Sequence, residues 1–220
     1  MQLLTPSRAW WVAMLAGLVP VAAVHLAYAI NLDHGLMECM PYWDGCMSVS
    51  RAVRSGPGLA WFKILAVPSM LCMWACWAVL GRWQALPARR RRWLRGLGQV
   101  GAVFFLVYAL WLGTEGELYR WLRRYGVVFY FGCTGLAQLL LLGAWPREFR
   151  NWRYRVFGGV VGMAWASGIA SAFKRQLSDD PAFVDRLENA LEWHFALYLS
   201  LGFVALGLAL RAASGKRDMT

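Results

Sequence analysis

The sequence predicts an all-α polytopic membrane protein, a bundle of six transmembrane helices with a long first extracytoplasmic loop. Three observations predict it. Hydrophobic residues make up 59% of the 220-residue chain and charged residues only 16%, where a soluble domain carries about a quarter charged. The apolar residues fall in uninterrupted blocks close to the ~20 residues that a spanning helix requires. The arginines are spread unevenly over the connections, as they are where positive loops stay on the cytoplasmic side.

The spans follow in order at about 9–30, 62–80, 97–113, 126–145, 156–173 and 193–210. The first contains Ala27-Tyr28-Ala29, which has the look of a signal-peptide cleavage site. Its apolar stretch is longer than a signal h-region, and Arg8 is the only base before it, so it reads as a span. The fifth holds Gly158, Gly159, Gly162, Ala166, Ser167 and Gly168. Its Gly158/Gly162 step is the small-xxx-small spacing that lets helices approach closely, which predicts a place at the bundle centre. Pro20 and Pro68 lie inside the first two spans.

Charge sets the orientation. Segment 81–96 holds six Arg and no acid, and segment 146–155 holds four Arg and one Glu. The C-terminal tail adds Arg211, Lys216 and Arg217 against Asp218. The alternating connections are less basic, and 174–192 has three bases against five acids. Both termini are therefore expected in the cytoplasm. Trp10, Trp11, Trp61, Trp83, Trp93, Trp145 and Trp193 collect near the block ends, as an interfacial belt would. The net charge of +11 raises nucleic-acid binding. No soluble domain surrounds Arg89–Arg92, however, and anionic lipid headgroups account for the same residues.

The predicted extracytoplasmic face gathers the unusual residues. The first loop, about 30 residues, holds Asp33, His34, Glu38, Tyr42, Trp43 and Asp44, and Cys39 and Cys46 in it would form a disulfide in an oxidising compartment. From Ser48 a short helix is expected, capped by Ser48 and stopped by Gly56-Pro57, with Arg51 and Arg54 on one face. It reads either as a cradle for a lipid phosphate or as a structural hairpin laid across the bundle. In the last connection Asp180-Pro181 is an N-cap followed by Pro at the first helical position, and nothing breaks a helix from there to Leu210. Asp185, Glu188 and Glu192 form an acidic stripe on it, while His194 falls on nearly the opposite face from Glu192. His25, His34 and His194 are all expected near this face, and together with acids they are weak candidates for zinc. No H-E-x-x-H spacing supports that reading, and the sequence calls for no cofactor.

Two stretches carry a family resemblance. Cys46-Met47-Ser48-Val49-Ser50-Arg51-Ala52, followed by Gly56-Pro57 and Trp61, resembles the first luminal loop of the Frag/DRAM/Sfk proteins. Glu188-Asn189-Ala190-Leu191-Glu192-Trp193 is similar to that family's Glu-Trp or Glu-Tyr signature at the start of the last span. The resemblance implies six spans, cytoplasmic termini and a lipid-linked role on the non-cytoplasmic side. Ser48, Ser50 and Glu192 are the positions that carry over. The chain departs from the family at Cys46-Met47, where Pro is expected, and in its arginine-rich segment 81–96. In a bacterium the membrane would be the inner one, and a GPI substrate would not fit.

The leading functional expectation is a non-enzymatic protein that binds or organises membrane lipid at the outer leaflet through Ser48, Ser50, Arg51, Arg54 and Glu192, with His25 and His194 nearby. In this picture the acidic stripe, Glu192 included, pairs with Arg51 or Arg54 and holds the loop over the bundle. The alternatives are a lipid hydrolase or acyltransferase using outer His, Asp or Ser residues, and a small-molecule transporter. The transporter reading is disfavoured because no span carries a midplane acid. Gln99 and Gln138 are read as helix-to-helix glue.

Overall fold

The computed structural model describes residues 10–36 and 39–217, with the side chains of 215–217 excepted. Arg8, Glu38, Lys216, Arg217 and Asp218, which entered the charge reading, lie outside the described residues or side chains. Six long helices form the body: α1 (Trp10–Asp33), α4 (Gly58–Leu80), α5 (Ala88–Trp111), α6 (Glu117–Ala144), α7 (Trp152–Ala172) and α8 (Pro181–Arg217). Two short helices, α2 (Pro41–Asp44) and α3 (Val49–Val53), lie in the first long connection. No strand occurs among the described residues.

Five of these helices, α1, α4, α5, α6 and α8, are long and apolar enough to cross a membrane. Their outward faces remain apolar, with Ile64 60% and Leu71 55% exposed. Water would penalise such surfaces, whereas lipid does not. The chain is a multi-pass integral membrane protein. Helix α7 has 21 residues, but its Gly/Ser content and the arginines of its first turn dilute its apolar character.

Successive long helices pack antiparallel, and α8 returns to α1 to close the ring. The α1–α8 pairing is read from Trp10 against Gly207, Gly17 against Ser200, and His25 against Trp193. A Cβ on Gly17 would come within 2.3 Å of the Ser200 carbonyl oxygen, so the two backbones touch there. Gly101 meets Thr134 and Gly126 meets Tyr108 in the same way between α5 and α6. The thinnest seam in the ring lies between α6 and the α7–α8 pair.

Three expectations are corrected. First, α7 is not central. Gly159 and Gly162 are exposed with open space around them, and α7 lies on the outside of α8. The central element is α8, half of whose most apolar window is buried against 33–39% for the other four. Small residues permit close approach without dictating it, and here the close approaches were taken by glycines on other helices. Second, Arg89–Arg92 are helical rather than loop, because α5 starts at Ala88. Pro87 precedes the helix and nothing after it breaks helical geometry. Third, Trp83, Trp145 and Trp193 are core residues, each no more than 3% exposed, while Trp11, Trp61 and Trp93 remain exposed. Trp83 and Trp145 pack edge to face at 5.1 Å, closing the bundle end beneath them.

Candidate functional site

The first long connection is an ordered cap over one end of the bundle. Its local structure follows from its sequence. Pro41 presets the first turn of α2, and Gly45 ends it in the left-handed conformation at φ 58°. Ser48 caps α3, its Oγ accepting from the Arg51 backbone N–H at 3.3 Å. Cys39 and Cys46 are joined by a disulfide across seven residues. The cap is the structural hairpin laid across the bundle.

Buried polar side chains fasten it. Asn31, fully buried near the end of α1, donates to the carbonyls of Ala52 and Ser55 at 2.9 Å each. Its Oδ1 accepts from the Gly58 N–H at 3.0 Å. One amide thus spends two donors and an acceptor on the end of α3 and the start of α4. On α8, Asn189 donates to the Gly45 carbonyl at 2.9 Å, and the Trp193 indole N–H donates to the Met47 carbonyl at 3.0 Å. These residues stand four apart on one helical face, so a single stripe of α8 holds the extended stretch between α2 and α3. Gly45 sits directly on this helix, where a Cβ would overlap the Arg186 carbonyl at 1.9 Å.

The acidic stripe of α8 is engaged, and one of its acids meets Arg51 as expected. Asp185 pairs with Arg51 at 3.6 Å, both being about half exposed. Glu188 pairs with Lys174 at 2.6 Å. Glu192 forms no ion pair with Arg51 or Arg54; it is half-buried, with its carboxylate beside the Val49 and Ser50 backbone in the first turn of α3. The pairing of the stripe with Arg51 is present, but it runs through Asp185. Glu192 instead places its negative charge beside the start of α3, where N–H groups lack internal partners.

Below the cap lies a cavity of about 50 Å3, apolar over most of its wall, with His25, Tyr42, Tyr108, Tyr130, Glu192 and Ser200 as its polar members. Beside it a groove of about 450 Å3 runs between α6 and the α7–α8 pair, lined by Ser50, Ser167, Ser171, Glu188 and Glu192 among apolar neighbours. Val127, Phe131 and Glu192 border both spaces. The thin seam of the ring therefore leads from the apolar exterior to Glu192.

His25 illustrates how the site is wired. Its Nδ1 stands 2.8 Å from the Val21 carbonyl, which only accepts, so Nδ1 carries the proton. Its Nε2 stands 2.9 Å from the Tyr42 hydroxyl. Burial, and then Tyr198, push the Tyr42 hydroxyl up to about 12, so it remains protonated at neutral pH and donates to His25. His194 packs edge-on against Tyr42 and Trp43, outside the cavity wall, with Nδ1 2.9 Å from the Ala190 carbonyl. His34 is exposed, its Nδ1 2.8 Å from the Ile30 carbonyl. The three histidines do not converge, and no group of three His, Cys, Asp or Glu suited to a metal occurs among the described residues.

Of the candidate ligand-binding residues named from the sequence, His25, Ser50 and Glu192 line the cavity or groove, as do Tyr42 of the loop and Glu188 of the acidic stripe. Ser48 is a buried cap, and Arg51 and Arg54 point to the outer surface, away from both spaces. Gln138 is glue, its Nε2 donating to the Leu199 carbonyl on α8 at 2.9 Å. Gln99 instead accepts from Arg95 on its own helix at 3.3 Å. The fasteners Asn31 and Asn189 went unread. The signal for Asn31 was an amide closing an apolar span, and for Asn189 a place one helical turn before Trp193.

Compared with known proteins, the chain matches no family model, no curated protein sequence and no solved structure. Its fold and site define a multi-pass helical membrane protein with a disulfide-closed cap over a small cavity and a lateral groove beside it.

Proposed function

We propose that the chain binds or organises a membrane lipid at the extracytoplasmic leaflet, holding it in the groove between α6 and the α7–α8 pair with Glu192 at the inner end. In this reading α7 is the remaining one of six spans, and both termini and the arginine-rich connections face the cytoplasm. The disulfide supports that orientation, because such bonds persist in oxidising compartments. The resemblance to Frag/DRAM/Sfk proteins is consistent with it and adds no catalytic residue.

The observation that carries the proposal is the lateral groove itself, which lies beside the cavity and shares Val127, Phe131 and Glu192 with it as lining. The cavity, at about 50 Å3, holds little more than water. The groove is large enough for part of an acyl chain, and it lies on a face already apolar, with Val128 57% and Ile169 53% exposed. Ser50, Ser171 and Glu192 then offer acceptors to hydroxyl or amine hydrogens of a headgroup.

The test is mass spectrometry of lipid that stays with the purified chain. Val128→Trp fills the groove from its exposed side without disturbing the core, and Glu192→Gln removes the charge while keeping an acceptor. Both should lower the retained lipid, the first several-fold. A lipid load equal to wild type in Val128→Trp would defeat the reading. Steady release of fatty acid, abolished by His25→Ala, would replace it with an enzymatic one.

A further inference from the structure

The opposite end of the bundle carries a second site of different chemistry. Between α5 and α6 a surface groove of about 590 Å3 is walled by Leu97, Leu136, Leu139 and Leu140, with Arg89 and Arg90 at its mouth. Arg89, Trp93 and Leu97 follow at four-residue spacing and so form one stripe on α5, running from charge through aromatic to aliphatic. Trp93 is 58% exposed, the placement of an indole at the depth of lipid headgroups. Across the mouth Gly143 of α6 leaves space, because a Cβ there would meet only the Arg90 guanidinium, at 3.8 Å.

Neither arginine pairs with a carboxylate among the described residues, where the ion pairs are Arg51–Asp185 and Lys174–Glu188, both at the capped end. The first turn of α5 contains no acid, and no side chain caps it. Successive arginines there face the positive end of the helix dipole, an arrangement that improves when an anion arrives. A guanidinium binds a phosphate oxygen pair in a forked geometry that an ammonium cannot match.

We infer that this groove is a discrete binding site for one anionic phospholipid, with its phosphate between Arg89 and Arg90 and an acyl chain along the leucines. A lipid phosphate fits better than a soluble one, because the apolar groove continues directly from the charged mouth. The site is separate from the capped end and does not depend on the proposal for it.

The experiment uses the full chain in nanodiscs of phosphatidylcholine with a minor fraction of phosphatidylglycerol, and native mass spectrometry counts the retained lipids. Wild type should retain phosphatidylglycerol in preference to phosphatidylcholine. The R89Q/R90Q double variant should lose that preference by roughly fivefold per arginine. R82Q/R155Q, with the same change in charge at exposed positions outside the groove, should keep it. Leu139→Trp, which fills the groove and leaves both arginines, should also lose it. Both arginines are exposed and make no ion pair among the described residues, so R89Q/R90Q should elute and unfold as wild type does. Equal loss in the two double variants would show only a diffuse positive field and would overturn the site. So would retention in Leu139→Trp, equal retention of phosphatidylcholine by wild type, or displacement by soluble glycerol phosphate at lipid-equivalent concentration.

Discussion

The two ends of this bundle solve the same problem in opposite ways. At the capped end the polar groups satisfy one another: Asn31, Asn189 and Trp193 each donate to backbone of the first connection, and Asp185 and Glu188 each meet a base. At the arginine end the charges of the first turn of α5 point outward without protein partners among the described residues. The difference teaches where specificity resides. Buried hydrogen bonds fix a shape, because an unpaired buried group costs about 1–3 kcal/mol. Exposed guanidinium groups fix no shape and instead select what arrives from outside.

That contrast can be broken, and the largest effect should come from Gly45. Gly45→Ala places a methyl within the Arg186 carbonyl and strains a left-handed backbone at once. A loss of about 3 kcal/mol or more is expected, read as a lower thermal midpoint in detergent and as rapid proteolysis of residues 39–57. Next comes Asn31→Ala, which strands two carbonyls and one N–H in a buried site. Its cost should be about 2–4 kcal/mol, and loop proteolysis at the wild-type rate would refute the fastening role.

Reduction of Cys39–Cys46 should cost less, roughly 2–3 kcal/mol by the entropy of a short loop. Because Asn189 and Trp193 still hold residues 45 and 47, the cap should loosen without leaving the bundle, with proteolysis confined to the stretch before residue 45. Glu192→Ala should cost about 1 kcal/mol by removing the carboxylate beside the first turn of α3, and Glu192→Gln should recover part of that. Unchanged protease sensitivity in Glu192→Ala would remove the carboxylate from the cap. The smallest effect belongs to Arg51→Gln, since its pair with Asp185 is half exposed. A change below about 0.5 kcal/mol is expected, and a larger one would mean that charge, rather than buried hydrogen bonds, holds the cap.

Much of the local structure was legible because its causes are local. Asp180 before Pro181 does start α8, the Asp180 Oδ1 accepting from Ala182 N–H at 2.9 Å. Ser48 does cap a short helix that ends before Gly56-Pro57. The placement of Glu192 and His194 on different sides of α8 followed from helical spacing alone, and only Glu192 reaches the cavity. The choice among partners did not follow. Asp185, Glu188 and Glu192 share one stripe, and only the seating of α3 against α8 decides which of them meets Arg51.

Periodicity, apolar length and turn chemistry act within about a dozen residues, so the sequence by itself determined the helices, their order and the caps that begin them. Helix-to-helix seating depends on which surfaces interlock over the whole ring. The tertiary structure alone therefore decided that α8 rather than the glycine-rich α7 is central, that Trp83 and Trp145 are core, and that the seam beside α6 stays open. In a lipid-facing protein this division is sharper than in water. Within the spanning windows most helix faces are apolar enough to be either buried or exposed, so the hydrophobic pattern that identifies the inner face of a soluble helix is weak there.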